Sequence, residues 1–414
     1  MPMLAIMLFA LLIGMTVTPE WRANQMHWFA AALADDDDDD DDDDRVRVRR
    51  PTIRAAAPLP SQAPNEVLAR GLSASDLADL EGVGFRVLKQ RTLGDGAPLY
   101  RLRKPARLTM TEARQAVQRA PSVQVSDFNH FYRVGAGTEC SGVDCPARSL
   151  IDWPLMQSGC GTPPLIGMVD TGLNIEHEVF ANAAVELLRV DEEAITDEVH
   201  GTAVAALLVG HADSRAAGLV PHAPLIAVDA FTKSGSDIRA DAYSLIEAMD
   251  MLGQRGVRVM NLSLAGPHND ALQAQVEKLW DQGVVMVAAA GNGGPRAKPA
   301  FPAGYDQVIA VTAVDRRGEV YRRAARGRHI DIAAPGVDVW TAASVSGART
   351  KSGTSFAAPF VTASAALILQ DSPALTPREV RRQLLRSARD LGREGRDTIF
   401  GNGLLVPRSA CAAN

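Results

Sequence analysis

Five short runs between residues 165 and 314 are apolar almost end to end: Leu165 to Asp170, Leu225 to Ala230, Val257 to Ser263, Val284 to Ala289 and Val308 to Val314. Helical patterns separate or follow them, at His200 to Gly210, Asp237 to Arg255, Asn269 to Gln282, Ser355 to Gln370 and Thr376 to Arg389. A strand that buries one face alternates polar and apolar residues; a strand without alternation buries both. The pattern predicts a three-layer α/β fold, a mostly parallel sheet with helices on each side. Sites in such sheets collect beyond the carboxyl ends of the strands. Asp170, Ser263 and Asn292 each fall at or just past one of those ends.

A smaller unit precedes this one. Asn65 to Arg70 reads as a strand and Ser73 to Leu80 as a helix opened by its serine. Phe85 to Arg91 and Leu99 to Arg103 flank Gly94-Asp95-Gly96 as a hairpin. Thr109 to Arg119 is an amphipathic helix, and Val123 to Phe128 supplies a last strand. The order β-α-β-β-α-β is that of a ferredoxin-like α+β domain over residues 65–132. It carries no titratable cluster that suggests catalysis, so it is expected to bind or to assist folding. Residues 133–151, rich in Gly, Pro and Cys, form a boundary loop, and 152–414 form the large domain.

Met3 to Val17 is apolar apart from Thr16 and too short to span a bilayer comfortably, and Ala32-Leu33-Ala34 is a small-residue cleavage pattern. Residues 1–34 are expected to be a signal peptide. A retained N-terminal membrane anchor is the alternative, because no basic residue precedes the apolar run and the cleavage pattern lies well beyond its end. The chain is then secreted, periplasmic or part of the cell envelope. Asp35 to Asp44, the basic block Arg45 to Arg50 and the prolines up to Pro64 make a solvated linker over 35–64. Those ten aspartates more than account for the net charge of −6, so charge implies no nucleic-acid partner. The four cysteines, Cys140, Cys145, Cys160 and Cys411, contain no C-x-x-C pair, which argues against zinc. In an exported chain the expected disulfides are Cys140–Cys145 and Cys160–Cys411, against the alternative of four free thiols.

Ser352-Gly353-Thr354-Ser355 ends a flexible turn, and the apolar run Phe356 to Leu369 that follows reads as a buried helix. Ser355 is then either a helix cap or a nucleophile at the positive end of a helix. A serine nucleophile needs a base for its proton, a carboxylate to orient that base, and fixed donors for the oxyanion. Val169-Asp170-Thr171-Gly172 holds a carboxylate at a strand end. His200-Gly201-Thr202 puts an imidazole in the first turn of an apolar helix, and Ala290-Gly291-Asn292-Gly293 an amide in a glycine-rich turn. Each alone has a structural alternative: an Asp cap, a core histidine, a turn asparagine. Together they run Asp, His, Ser, unlike the Ser-Asp-His and His-Asp-Ser orders of other serine hydrolases. Gly353-Thr354-Ser355-Phe356-Ala357 also lacks the second glycine of a G-x-S-x-G elbow.

With Asn261-Leu262-Ser263-Leu264-Ala265-Gly266, Ala334-Pro335-Gly336 and Ser355-Phe356-Ala357-Ala358-Pro359, these blocks resemble the subtilisin-like serine peptidases over most of residues 152–407. The resemblance implies a serine endopeptidase in which Ser355 attacks the peptide carbonyl, His200 is base and then acid, and Asp170 orients His200. Asn292 and the Ser355 N–H would hold the oxyanion. It also implies that Ser263, Leu264 and Ala265 pair with the substrate backbone, with Ala289 and Gly291 beside them. Residues 65–132 would be an inhibitory propeptide that the enzyme removes itself, so the expected partners are protein or peptide substrates and the chain's own propeptide. No Asp-rich calcium loop is legible, so no cofactor and no obligatory metal is expected. The chain departs from the family at Ala203, where a second histidine is common, and at Ala265 and Ala300. Methyl groups at the last two would narrow the primary specificity pocket and favour small or medium apolar side chains. Two rivals stand beside this reading, an inactive scaffold of the same fold and a serine esterase. The presence of Asp170, His200, Ser355 and Asn292 disfavours the first, and the residue order and substrate-pairing segment the second.

Overall fold

The computed structural model describes residues 60–134, 147–154 and 161–409. The N-terminal apolar segment, the aspartate run and all four cysteines, with both expected disulfides, lie outside the described residues.

The small domain contains β1 (Gln62–Arg70), α1 (Ala74–Gly82), β2 (Arg86–Thr92), β3 (Pro98–Arg103), α2 (Met110–Gln118) and β4 (Val125–Val134). Its strands are antiparallel in the order β2-β3-β1-β4, the ferredoxin-like arrangement. Local capping chemistry decides where the helices start. The Ser73 side chain accepts from the Asp76 N–H, and Thr109 with Glu112 closes a capping box. Val67 and Ala69 pack against Phe85, Leu102, Ala113 and Val117 in a core that belongs to this domain alone.

The large domain contains α3 (Ala147–Leu150), β5 (Ile166–Asp170), β6 (Val185–Arg189), α4 (Val199–Val209), β7 (Leu225–Asp229), β8 (Thr232–Ser234) and β9 (Asp237–Asp241). There follow α5 (Ala242–Gln254), β10 (Val259–Leu262), β11 (Leu264–Ala265), α6 (Asp270–Asp281), β12 (Val285–Ala289), β13 (Val308–Val314) and β14 (Ile332–Pro335). The hairpin β15 (Val339–Ala342) and β16 (Ala348–Lys351) leads into α7 (Thr354–Asp371) and α8 (Pro377–Ser387).

Seven strands form a wholly parallel sheet in the order β14-β13-β12-β10-β5-β7-β6. Successive side chains of one strand serve opposite layers. Met168 enters a core with α4 and α7, whereas Val169 enters a core with α5 and α6. The five apolar runs are all strands here. The two outer strands, β6 and β14, escaped the sequence pattern because an edge strand is short or only half-buried, as Val-Glu-Leu-Leu-Arg is in β6. Helix α7 is apolar on every side, and its residues from Thr354 to Leu369 are all buried, as befits a helix inside the molecule.

Two expected boundaries move. Asp237 to Asp241 is a strand and not the start of a helix: Asp241 accepts from the Ser244 N–H and so caps α5. The last strand of the small domain runs on to Val134, because it finds partners on the large domain. It pairs with β9 (Phe131 with Asp241, Tyr132 with Ala240) and with β11 (Arg133 with Ala265, Val134 with Leu264). The same strand completes the first turns of two helices, whose N–H groups have no partners of their own. The Tyr243 N–H donates to Asn129 Oδ1 at 3.2 Å, and the Asp270 N–H to Asp127 Oδ2 at 2.7 Å.

Candidate active site

Asp170 ends β5, and His200 is the second residue of α4. Asp170 Oδ1 lies 2.7 Å from His200 Nδ1 and also accepts the Thr171 N–H at 2.8 Å. The close approach of strand end and helix depends on Gly201. A Cβ there would stand 2.4 Å from the Gly172 carbonyl oxygen, a distance no side chain tolerates. With Nδ1 engaged by the carboxylate, Nε2 is left as the working nitrogen; it is buried and has no hydrogen-bond partner among the described residues.

Ser355 lies in the first turn of α7 and is fully buried. The ring of Phe356, the next residue, packs on the His200 imidazole with centroids 5.4 Å apart. The Ser355 hydroxyl donates to the Ser263 carbonyl oxygen at 3.2 Å. Four residues on, Pro359 has no N–H, so the Ser355 carbonyl lacks its usual helical donor. The Ser263 hydroxyl donates to that carbonyl instead, at 2.8 Å. Behind it Asn261 Nδ2 donates to Ser263 Oγ at 2.9 Å, and Thr362 Oγ1 to Asn261 Oδ1 at 2.9 Å. The proline thus exchanges one helix bond for a fully buried polar chain that ties the serine's backbone to the end of β10.

Asn292 sits three residues beyond β12. Its Oδ1 accepts the Thr354 N–H at 3.1 Å and the Thr354 hydroxyl at 3.0 Å, and Thr354 Oγ1 accepts the Gly291 N–H at 3.1 Å. These bonds decide which way the amide faces. Nδ2 is buried, has no partner among the described residues, and is free to donate. Gly353 sits at φ 150°, which side chains rarely adopt, and a Cβ there would stand 3.1 Å from Asn292 Nδ2, so the amide would have to shift by a few tenths of an ångström.

Leu264 and Ala265 form β11, which carries the backbone of Arg133 and Val134. Ala289 is the last residue of β12. A Cβ at Gly291 would meet the methyl groups of Ala300 at 3.2 Å and Ala265 at 3.8 Å, so these three residues border one small space. Beside it the Tyr132 ring is fully buried against Gly266. Its hydroxyl has no partner among the described residues, and burial pushes it well above the usual phenol range. Among the described residues no group of three His, Cys, Asp or Glu side chains is placed to hold a metal ion.

The subtilase family model matches residues 161–403, more than half of the chain. The chain belongs to that family and is a subtilisin-like serine peptidase. It is 33% identical over 253 residues to subtilisin DY of Bacillus licheniformis, covering 59% of this chain and 89% of the relative. To the minor extracellular protease Epr of Bacillus subtilis it is 31% identical over 243 residues, 58% of this chain and 37% of the relative. Fervidolysin of Fervidobacterium pennivorans, a keratinolytic enzyme, shares the fold, with a TM-score of 0.71 at 21% identity over 83% of this chain and 60% of its own.

Sequence reasoning missed Thr354, Asn261, Thr362 and, most of all, Asp229. Asp229 ends β7 and pairs in register with Asp170 at the end of β5. It accepts from the Thr196 hydroxyl and the Phe231 N–H, each at 3.2 Å. Burial, with Asp170 as a further cause, pushes its carboxyl up from 3.8 to about 6. The folded chain therefore holds a proton that the unfolded chain has released between those values, so stability falls as pH rises through that window. Asp229→Asn, made in a Ser355→Ala chain that cannot digest itself, should raise stability at pH 8 by about 1–3 kcal/mol and leave it unchanged below pH 4. Urea titrations at the two pH values check this; an equal effect at both would mean that charge is not the cause.

Proposed function

We propose that the chain is a serine endopeptidase made as a self-processing zymogen, with Ser355 as nucleophile, His200 as base, Asp170 as its orienting carboxylate and Asn292 as oxyanion donor. The observation that carries this reading is the Asp170–His200 bond of 2.7 Å, on an imidazole that packs against Phe356, the residue after Ser355, with His200 Nε2 and Asn292 Nδ2 both without a partner among the described residues. A peptide laid along β11 takes the Ser263 carbonyl for its own N–H, which frees the Ser355 hydroxyl to turn to His200. The Ser355 proton then passes to Nε2 as Oγ bonds to the peptide carbon. The oxygen that gains charge is met by Asn292 Nδ2 and the Ser355 N–H. His200 returns the proton to the leaving amine as the C–N bond breaks, and water repeats the sequence on the acyl-enzyme.

The zymogen part of the proposal is supported by β4, whose last residues occupy the strand position a substrate would take on β11. The small domain would hold the cleft shut until the chain is cut beyond Val134. Export rests on the N-terminal apolar segment and on similarity to an extracellular protease; N-terminal sequencing of the mature protein tests it together with the processing position.

A fluorophosphonate probe followed by casein tests the activity. Ser355 should be labelled and casein degraded. Labelling without proteolysis would favour an esterase, and absence of labelling an inactive scaffold. The methyl groups of Ala265 and Ala300 should confine the residue before the cut to small or medium apolar side chains. A peptide-library profile dominated at that position by Arg, Lys or Phe would overturn that expectation.

A further inference from the structure

Arg133 meets Asp237 with two nitrogens, Nε to Oδ1 at 2.9 Å and Nη2 to Oδ2 at 3.1 Å. A forked contact of this kind matches guanidinium to carboxylate in direction as well as charge. Asp237 is the first residue of β9 and belongs to the large domain, so it stays with the enzyme when the small domain leaves. It is buried, and hydrogen bonds from Arg133 and then Arg239 hold its carboxyl below the usual range. Arg239 also lies on β9 and bonds the carboxylate at 2.6 Å, so it holds Asp237 from the enzyme side; the Phe131 ring, 4.1 Å from that guanidinium, belongs to β4 and leaves with the small domain.

The place of Arg133 in the ladder matters more than the bond itself. It stands opposite Ala265, where every peptide laid along β11 must put a residue. Side chains of a strand alternate faces. Tyr132 turns into the core, while the Arg133 side chain remains about a quarter exposed beside Asp237. We propose that Asp237 forms a subsite of the peptidase cleft that selects arginine in the substrate residue opposite Ala265.

This rests on the peptidase reading and adds a substrate class to it. One further step of the ladder sets the substrate residue opposite Ser263, beside the Ser355 hydroxyl, which lies 3.2 Å from the Ser263 oxygen. That residue supplies the carbonyl to be attacked. The arginine is then the third residue on the acyl side, counting the cut residue as the first. Lysine fits less well, since an ammonium cannot span both carboxylate oxygens in a plane.

The test uses wild-type enzyme whose active fraction is first counted by fluorophosphonate labelling. Three peptides identical except for Arg, Lys or Gln at the third position are compared by kcat/KM. Arginine should exceed glutamine about fivefold at low salt, with lysine between. The preference should shrink toward unity in 1 M salt. In Asp237→Asn the arginine-to-glutamine ratio should fall to about one. A ratio near one in labelled wild-type enzyme, or a preference that Asp237→Asn leaves intact, overturns the proposal; should that variant not mature, the salt series on wild type decides alone. If Ser355 is not labelled and all three peptides stay uncut, the peptidase reading fails and this proposal with it.

Discussion

Ser355→Ala is expected to accumulate as an uncut chain with no activity on casein, a fall of about 10⁶ in kcat, the magnitude reported when the triad serine of subtilisin itself is removed. The size follows from how the site is assembled. His200 is held by Asp170 and its second nitrogen has no partner among the described residues, but in the proposed mechanism neither group can form the acyl-enzyme without the hydroxyl. The substitution deletes one oxygen from a buried position whose backbone is anchored elsewhere, through the Ser263 hydroxyl to the Ser355 carbonyl. The fold should therefore survive, and with it the seat of β4 on β9 and β11. Gel electrophoresis and N-terminal sequencing of the purified variant check the prediction. Normal processing in isolation would sink self-cleavage, whereas cleavage only after addition of wild-type enzyme would support it.

Asn292→Ala is expected to lower kcat by about 10²–10³ with little change in KM, the range established for loss of the matching donor in subtilisin. Asn292 Nδ2 has no partner among the described residues, and as the proposed oxyanion donor it should contribute mainly when the oxyanion forms. The other end of the same amide holds Thr354, and truncation also leaves the Thr354 hydroxyl and N–H without their acceptor. Thr354→Val separates the two effects. It keeps the donor but removes the hydroxyl that aims it, and should cost about tenfold. Steady-state kinetics with thermal melts of both variants settle the matter. If Asn292→Ala raised KM while sparing kcat, the amide would be a binding group and not an oxyanion donor.

The lesson for reading such a chain lies in the contrast between its motifs and their supports. Asp170, His200, Ser355 and Asn292 were legible because each stands where a local pattern changes: the end of an apolar strand, the first turn of an apolar helix, a glycine-rich turn. The parallel sheet was legible for the same reason, since five strands without polar alternation must bury both faces. Asp237 to Asp241 was misread as helix although Asp-Ile-Arg-Ala-Asp alternates polar and apolar residues as a strand does, because five residues that run straight into α5 are too few to stand apart from the helical pattern. They form a strand only by pairing with β4 and β8.

The sequence by itself determined the α/β class, the ferredoxin-like order of the small domain and the candidate nucleophile, base and orienting acid, because apolar runs and capping residues act over one or two turns. Tertiary structure alone decided how those groups are held. The donor that Pro359 cannot give the Ser355 carbonyl comes from Ser263, 92 positions before Ser355. Asp229 meets Asp170 only because β5 and β7 are neighbours in register. Arg133 meets Asp237 only because β4 lies between two strands of the other domain. Hydrogen bonds and desolvation depend on distances of a few ångströms, and the register of strands far apart in the chain is set by the packed core rather than by any one segment.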